Sequence, residues 1–416
     1  MVYKLSKNNL NTKYVFVALC FVFLPVALLV SCLGISRKPE VVYKYDEYLK
    51  TTPEIRVLLL EGVSKAEIAI SQSYSITNSD RTVDLAQGMD LPGSTIRLES
   101  GKFLIEPITS PGTLKIGNAV IETDGEIRII PQRDGGFITL NKSKYLGNLL
   151  FIPGSNGCFT VLEEIGIEEY LPGVVGSEVP ERWQDDAIFA QVVAARSYIV
   201  YQKKINGNSR FDIGKLGLAY NGSFTNQLKI NEIVAKTRGV VMVYDWGILP
   251  GYFHSTCGGH TEDINLVFGL KSIPPLSGVI CGYCGKSKYY RWAKGIKKSE
   301  IERKLQNYQF DIKHIYDIVA EKKGVGGHSS AVTVKHSCGS NSFDANSFRL
   351  MVGPNVLLST AFTMREDGDS FVFDGKGWGH GVGLCQYGME EMARSGVQWF
   401  DILKHYYPGI NLMKIY

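Results

Sequence analysis

Within residues 163–204, EEIGIEEYLPGVVGSEVPERWQDDAIFAQVVAARSYIVYQKK, the hydrophobic period changes from two to between three and four. The stretch opens as an apolar–polar alternation and breaks at Leu171-Pro172-Gly173. Asp185-Asp186, suited to capping a helix N-terminus, then precede Ile188, Val192, Ala195 and Ile199 at helical spacing. A chain that makes both patterns in such close succession has to pack strand against helix, which restricts it to mixed architectures. Between the two patterns stands one acid, Glu178, flanked by Ser177 and by Val179-Pro180, and expected on a loop. A carboxylate among apolar neighbours has its charged form disfavoured, so its pKa rises and it can serve as a proton donor.

The preceding hundred or so residues read as strands alone. IRVLLL, EIAIS, IRLES, EIRII, FITLN, LLFIP and CFTVL are separated by turn signals such as Asp124-Gly125, Asp134-Gly135-Gly136 and Pro153-Gly154. This β-rich part, residues 54–162, holds no paired acids or histidines that look like a site. Residues 163–416 form the remainder, with a helix expected near 230–237 and strands at 240–244 and 249–253. A second helix near 300–306 opens with a capping box of Ser299 and Glu302, and helical spacing returns over 386–407. Residues 308–336 show no legible pattern. The expectation is a β-rich, mixed α+β fold with a packed helical catalytic segment.

An N-terminal membrane anchor precedes it. Lys4, Lys7 and Lys13 lead into an apolar run over 14–32, interrupted only by Pro25 and Ser31. Such a run is a membrane-targeting segment, assigned here to residues 1–36 with a polar tether at 37–53. Either it stays as an anchor in the inner membrane with the lysines cytoplasmic, or Leu29-Val30-Ser31-Cys32, which resembles a lipobox, is cut before a lipidated Cys32. Both outcomes put the body of the chain on the extracytoplasmic side, in the cell envelope. The net charge of +4 comes from scattered basic residues, which excludes nucleic acid as a partner and leaves an anionic polymer compatible.

His254, Cys257 and His260 fall close together, followed by Cys281-Gly282-Tyr283-Cys284. Two thiolates spaced Cys-x-x-Cys can bite one ion, and Cys257 with one of the two histidines would complete a Cys₃His shell that selects zinc, in a structural role. The other reading is a disulfide between Cys281 and Cys284, or between Cys257 and either. Cys158, Cys338 and Cys385 have no evident partner.

Further along, Gly375, Gly377, Gly379, Gly381 and Gly383 recur at every second residue. An extended segment would put them all on one face and Lys376, Trp378, His380 and Val382 on the other. A face without side chains lets a sugar or another backbone approach, with Trp378 and His380 as stacking and hydrogen-bonding groups and Gln386 counted with them. The dinucleotide fingerprint is absent, because no pair of these glycines is followed by a third at the required spacing.

EEYLPGVVGSEVP with AxxAQVVAARSY, and GKGWGHGVGLCQYG near the other end, resemble the two hallmark segments of the SpoIID/LytB-domain family of cell-wall proteins. HSTCGG at 254–259 resembles that family's HSTxGG segment, and the resemblance also implies a bound zinc. It further implies a lytic transglycosylase acting on peptidoglycan glycan strands stripped of stem peptides, with Glu178 at the position of the family's acid. That chemistry suits the residues. Glycan hydrolysis uses two carboxylates, whereas Glu168, Glu169, Glu181, Asp185 and Asp186 read as surface or capping charges. Attack by the sugar's own 6-hydroxyl needs one acid and leaves a 1,6-anhydro-N-acetylmuramic acid end. Arg196 shares a helix face with Phe189, Val192 and Val193, so its charge must be paired or aimed into a site. Pairing with Glu178 would lower that acid's pKa, so substrate contact is expected. Gln191 and Tyr198 are further substrate-side candidates. LytB-like members imply the alternative: a non-catalytic glycan binder that enhances a cell-wall amidase.

Overall fold

A computed structural model describes residues 51–78, 80–108, 119–120, 125–132, 136–214, 217–222 and 227–416; the apolar run at 14–32 and its lipobox-like end lie outside them. Among the described residues no helix is long and apolar enough to cross a membrane. The architecture is mixed α+β and strand-rich.

Each of the seven strand-like stretches carries a strand. They belong to two six-stranded sheets. One runs in the order Glu54–Val63, Phe159–Gly166, Asn148–Pro153, Ile127–Pro131, Tyr74–Asn78, Asp84–Gly88. The other runs Ser143–Tyr145, Ile138–Leu140, Lys65–Ile70, Leu91–Glu99, Lys102–Pro107, Ala119–Val120. Their inward-facing residues share one core, with Ile68, Ile96 and Phe103 from the second sheet against Ile127, Phe151 and Phe159 from the first. Strand Phe159–Gly166 is longer than this core needs, and its far end enters a second core through Ile165.

That strand passes directly into helix α1 (Ile167–Glu178). The break expected at Leu171-Pro172-Gly173 does not occur. Pro172 forfeits one backbone N–H inside the helix, but Tyr170, Leu171, Val174 and Val175 on either side are fully buried and hold the turn. Helix α2 (Asp185–Ile205) follows; Asp185 and Asp186 lie in its first turn rather than capping it. Asp185 pairs with Lys229, and Asp186 accepts the backbone N–H of Trp399, both outside the helix. Helix α3 (Leu228–Lys236) packs on α1 and α2, and strand Val240–Tyr244 continues the core through Val241 and Met242. A short helix, α4 (Ile264–Phe268), is capped by Asp263.

Residues 292–375 enclose a third core. Strands Trp292–Lys297, Ser370–Gly375 and Phe362–Asp367 form one three-stranded sheet; Ile315–Lys323, Ser329–His336 and Gly339–Asp344 form another. Helices α5 (Lys298–Gln306) and α6 (Ala345–Val352) complete it. The capping box expected at α5 is not made: the helix begins two residues earlier, and Glu302 instead accepts the N–H of Ile315 in the neighbouring strand.

The glycine-rich segment is not an extended strand. Gly377, Gly379, Gly381 and Gly383 have φ of +77°, +114°, +83° and +72°. It threads past residues 252–257, where a Cβ on Gly379 would meet the side chain of His254, and a Cβ on Gly381 would strike the ring of His328. Gly375 ends the strand Ser370–Gly375, and beyond it Leu384–Cys385 pairs as a strand, parallel to Phe253–His254. The helical tail is two helices, α7 (Gln386–Arg394) and α8 (Trp399–Tyr406), parted at Ser395-Gly396.

Candidate functional site

Glu178 is the last residue of α1, not part of a loop. Pro180 ends the helix just beyond it, and no basic residue occupies the last turn. Burial pushes the Glu178 carboxyl above its ordinary value, against hydrogen bonds from Gln386 and Ala219 that favour the ionised form. The helix C-terminus adds a partial negative charge that acts in the same direction as burial. Gln386 Nε2 donates to Oε2 at 3.0 Å, and the backbone N–H of Ala219 to Oε1 at 3.1 Å.

The carboxyl faces a cavity of about 420 Å³. Tyr198, Tyr252 and Phe268 supply aromatic wall, with Asn346, Arg349 and His380 as the nitrogen-bearing side chains. Tyr198 packs edge-on against Tyr252 at 5.5 Å. His380 Nδ1 accepts the N–H of Val382 at 3.1 Å, which assigns the ring proton to Nε2. Burial, with His254 and Arg349 nearby, holds this imidazole well below its usual pKa, so it is neutral. Among the described residues lining the cavity, Glu178 is the one carboxylate.

Of the residues expected to meet substrate, Tyr198 and His380 line this cavity and Gln386 touches Glu178. Arg196 does not reach it. Arg196 is fully buried, and its guanidinium grips Glu168 through Nε at 2.8 Å and Nη2 at 2.9 Å. Remaining donors go to the Val240 carbonyl and Thr237 hydroxyl. A charge on an apolar helix face is paired here, with Glu168 rather than Glu178. Gln191 is also fully buried, outside the cavity lining, with no hydrogen-bond partner among the described residues. Trp378 stands to one side: its Nε1 donates to Pro354 O at 3.1 Å and its ring lies 4.4 Å from that of Tyr289.

Two functional residues had no legible signal. Arg349, on α6, is the cation of the cavity, held by Leu358 O at 2.8 Å and lowered to a pKa of about 10 by burial. It has no carboxylate partner among the described residues. Glu163 is fully buried and accepts the Tyr220 hydroxyl at 2.8 Å and the Gly147 N–H at 3.0 Å. Tyr220 adjoins Ala219, so Glu163 anchors the loop that presents an N–H to Glu178.

Burial raises Glu163 to about 7, above its hydrogen bonds' opposing pull. The folded protein therefore binds this proton more tightly than the unfolded chain. The stabilisation is complete below the ordinary carboxylate pKa of 4.5 and declines as pH rises to about 7. That decline amounts to about 3 kcal/mol. Thermal unfolding at pH 5 and pH 8 should show Tm falling with pH, and Glu163→Gln should flatten the fall. An equal fall in the variant would assign it to other groups.

The sulfurs of Cys257, Cys281, Cys284 and Cys385 all lie within 4.8 Å of one another. Neither expected histidine belongs to the group. His254 Nδ1 bonds Val382 O at 3.1 Å and its ring turns toward His380, while His260 Nδ1 lies 2.5 Å from Thr261 O. Cys385 takes their place because the parallel pairing sets it beside His254. The four thiols are free; Cys257 and Cys284 approach to 3.5 Å, whereas a disulfide needs about 2.05 Å. Tetrahedral zinc, with Zn–S of about 2.3 Å, sets its sulfurs about 3.8 Å apart, so the donor set fits. The surroundings fit as well. Gly259 N–H donates to Cys257 Sγ, Cys257 N–H to Cys385 Sγ, and Tyr406 OH lies 3.1 Å from Cys281 Sγ. A Cβ at Gly388 would intrude on Cys281 Sγ and Tyr406 OH.

Comparison with known proteins places these features. A family model described as stage II sporulation protein, SpoIID, matches residues 155–244, which hold Glu178. A second, described as a domain of unknown function, matches residues 280–383, the third core and most of the glycine-rich segment. An uncharacterised protein of Brachyspira hyodysenteriae is 32% identical over 303 residues, 72% of this chain and 79% of that protein. Stage II sporulation protein D of Bacillus subtilis is 30% identical over 270 residues, 60% of this chain and 75% of that protein. The amidase enhancer of Bacillus subtilis is 27% identical over 370 residues, 76% of this chain but only 49% of that protein's length. With its acid-bearing helix inside the matched region, the chain belongs to the SpoIID family.

Proposed function

We propose that this protein is a lytic transglycosylase of cell-wall glycan, acting on strands that lack stem peptides, with Glu178 as its acid and base. The observation that carries this is the single carboxylate in its cavity, half-buried and raised in pKa. Protonated Glu178 gives its proton to the glycosidic oxygen as the bond from C1 to that oxygen breaks. The C6 hydroxyl oxygen of the same sugar bonds to C1, and its proton passes to the Glu178 carboxylate. The enzyme ends as it began, and no water is consumed. Ala219 N–H and Gln386 steady the carboxylate during the interval in which it is charged. Arg349 is suited to holding an oxygen of the substrate, and Tyr198 and Tyr252 to packing against sugar rings.

Zinc at the four cysteines belongs to the same reading as a structural ion, since four thiolates leave no open coordination position. The lysine-flanked run at 14–32 would hold the protein at the inner membrane, facing the wall. The family's amidase enhancer favours a second reading, in which this chain binds glycan and activates an amidase.

Incubation of the purified protein with peptide-free glycan, followed by mass analysis of the new ends, decides between them. Transglycosylation leaves 1,6-anhydro ends, one water lighter than reducing ends. Reducing ends would overturn the proposed nucleophile, and no cleavage together with a stimulated amidase would establish the second reading.

A further inference from the structure

A second cavity, about 630 Å³, opens on the third core at the upstream end of the glycine-rich segment. Gly375 and Lys376 line it, while His380, five residues on, lines the Glu178 cavity. Five residues span at most about 18 Å, so the two cavities are close neighbours.

The lining is of an unusual kind. Trp292 is fixed in place: its Nε1 donates to Gly377 O at 2.8 Å, and its ring covers Gly375 where any Cβ would collide with it. Beside it stand three cations, Arg291, Lys323 and Lys376. Lys323 gives one of its three protons to Phe362 O at 2.9 Å, leaving the others available. Among the described residues none of the three cations is ion-paired, and the cavity's one acid, Asp374, is within salt-bridge reach of none of them. A held indole face surrounded by unbalanced positive charge suits a ligand that has both a flat apolar ring face and an anionic group.

We propose that this cavity binds a carboxylate-bearing sugar of the glycan strand, its ring against Trp292 and its carboxylate among Lys323, Lys376 and Arg291. The assignment rests on a glycan strand being the ligand of the neighbouring cavity. On a stripped strand each muramic residue carries a free lactyl carboxylate. A stem peptide converts that group to an amide and removes the charge. The cavity would thus select strands by the charge that peptide removal uncovers.

The test is equilibrium binding rather than cleavage, so it reads independently of the proposed chemistry. Full-length protein bearing Glu178→Gln is titrated with peptide-free strands and with the same strands after their carboxylates are capped as methylamides. The further changes Lys323→Ala and Lys376→Ala, made together at partly exposed positions, should weaken binding of the free-acid strands about tenfold or more. They should leave the capped strands unaffected, and added salt should narrow the difference. Trp292→Phe should bind both kinds of strand nearly as the parent does. Equal binding of free and capped strands by the parent would overturn the assignment, as would an equal loss on both in the lysine variant. So would displacement of the strand by a glycerol-phosphate polymer whose affinity alone the lysine changes lower, because the ligand would then be a phosphate.

Discussion

Glu178→Gln should yield a folded protein that binds peptide-free glycan and cleaves it about 10²–10⁴ times more slowly, the usual loss for a positioned general acid. Glutamine keeps the length of the side chain and can still meet Gln386 and the Ala219 N–H, so binding and Tm should change little. What it lacks is the proton. The pH profile of the wild type reads the same group a second way. Glu178 must be protonated to begin the reaction, and activity is lost as pH rises through its pKa. Because burial lifts that pKa, the alkaline limb of kcat/KM should lie above the range of an exposed glutamate. Undiminished cleavage by Glu178→Gln would make this carboxylate a structural cap on α1.

Cys385→Ser should release the metal and lower Tm by many degrees. A preparation made without chelator should hold about one zinc per chain, and the variant almost none. The four sulfurs sit inside the core that also contains α2 and α7, so losing the ion leaves three thiols and a hydroxyl buried without their partner. Binding of structural zinc contributes on the order of 10 kcal/mol in small domains, and a several-fold smaller share would still be large here. Activity should fall with it for a geometric reason: Gln386, which touches Glu178, is the next residue after Cys385. His254→Ala is the discriminating control, and it should keep the metal. Retention of zinc by Cys385→Ser, or a disulfide among these cysteines in the native protein, would sink the assignment of the four-cysteine set. Loss of the metal with Tm unchanged and activity abolished would point to a catalytic ion instead.

Local patterns carried well from sequence to structure where short apolar runs stand between turn signals. LLFIP survives as a strand buried on both faces, Leu149 and Phe151 in one core and Leu150 and Ile152 in another. The helix at 185–205 is legible because its apolar residues recur at helical spacing. Pro172 misled because its cost is local, whereas the burial that overrides it comes from distant partners of Tyr170 and Val174. Arg196 misled because its partner, Glu168, lies a helix away and resembles a surface acid in the sequence. Cys385 was invisible as a member of the metal group, since only the parallel pairing of Phe253–His254 with Leu384–Cys385 brings it to Cys257. Arg349 falls on the buried face of its helix with Ala345, Phe348 and Val352, and only the folded chain shows that this face borders a cavity.

The contacts on Glu178 also carry a consequence for when the site exists at all. Its two hydrogen-bond donors lie 41 and 208 residues further along the chain, and the Arg196–Glu168 pair behind it is joined by Tyr416, 248 residues beyond Glu168. Contacts of such separation form late, after the entropy of closing long loops has been overcome. A ribosome-bound chain therefore carries the acid long before it carries the groups that aim it. For a protein proposed to cut the wall that contains its own cell, a partial chain would hold the carboxylate without the Gln386 side chain that meets it.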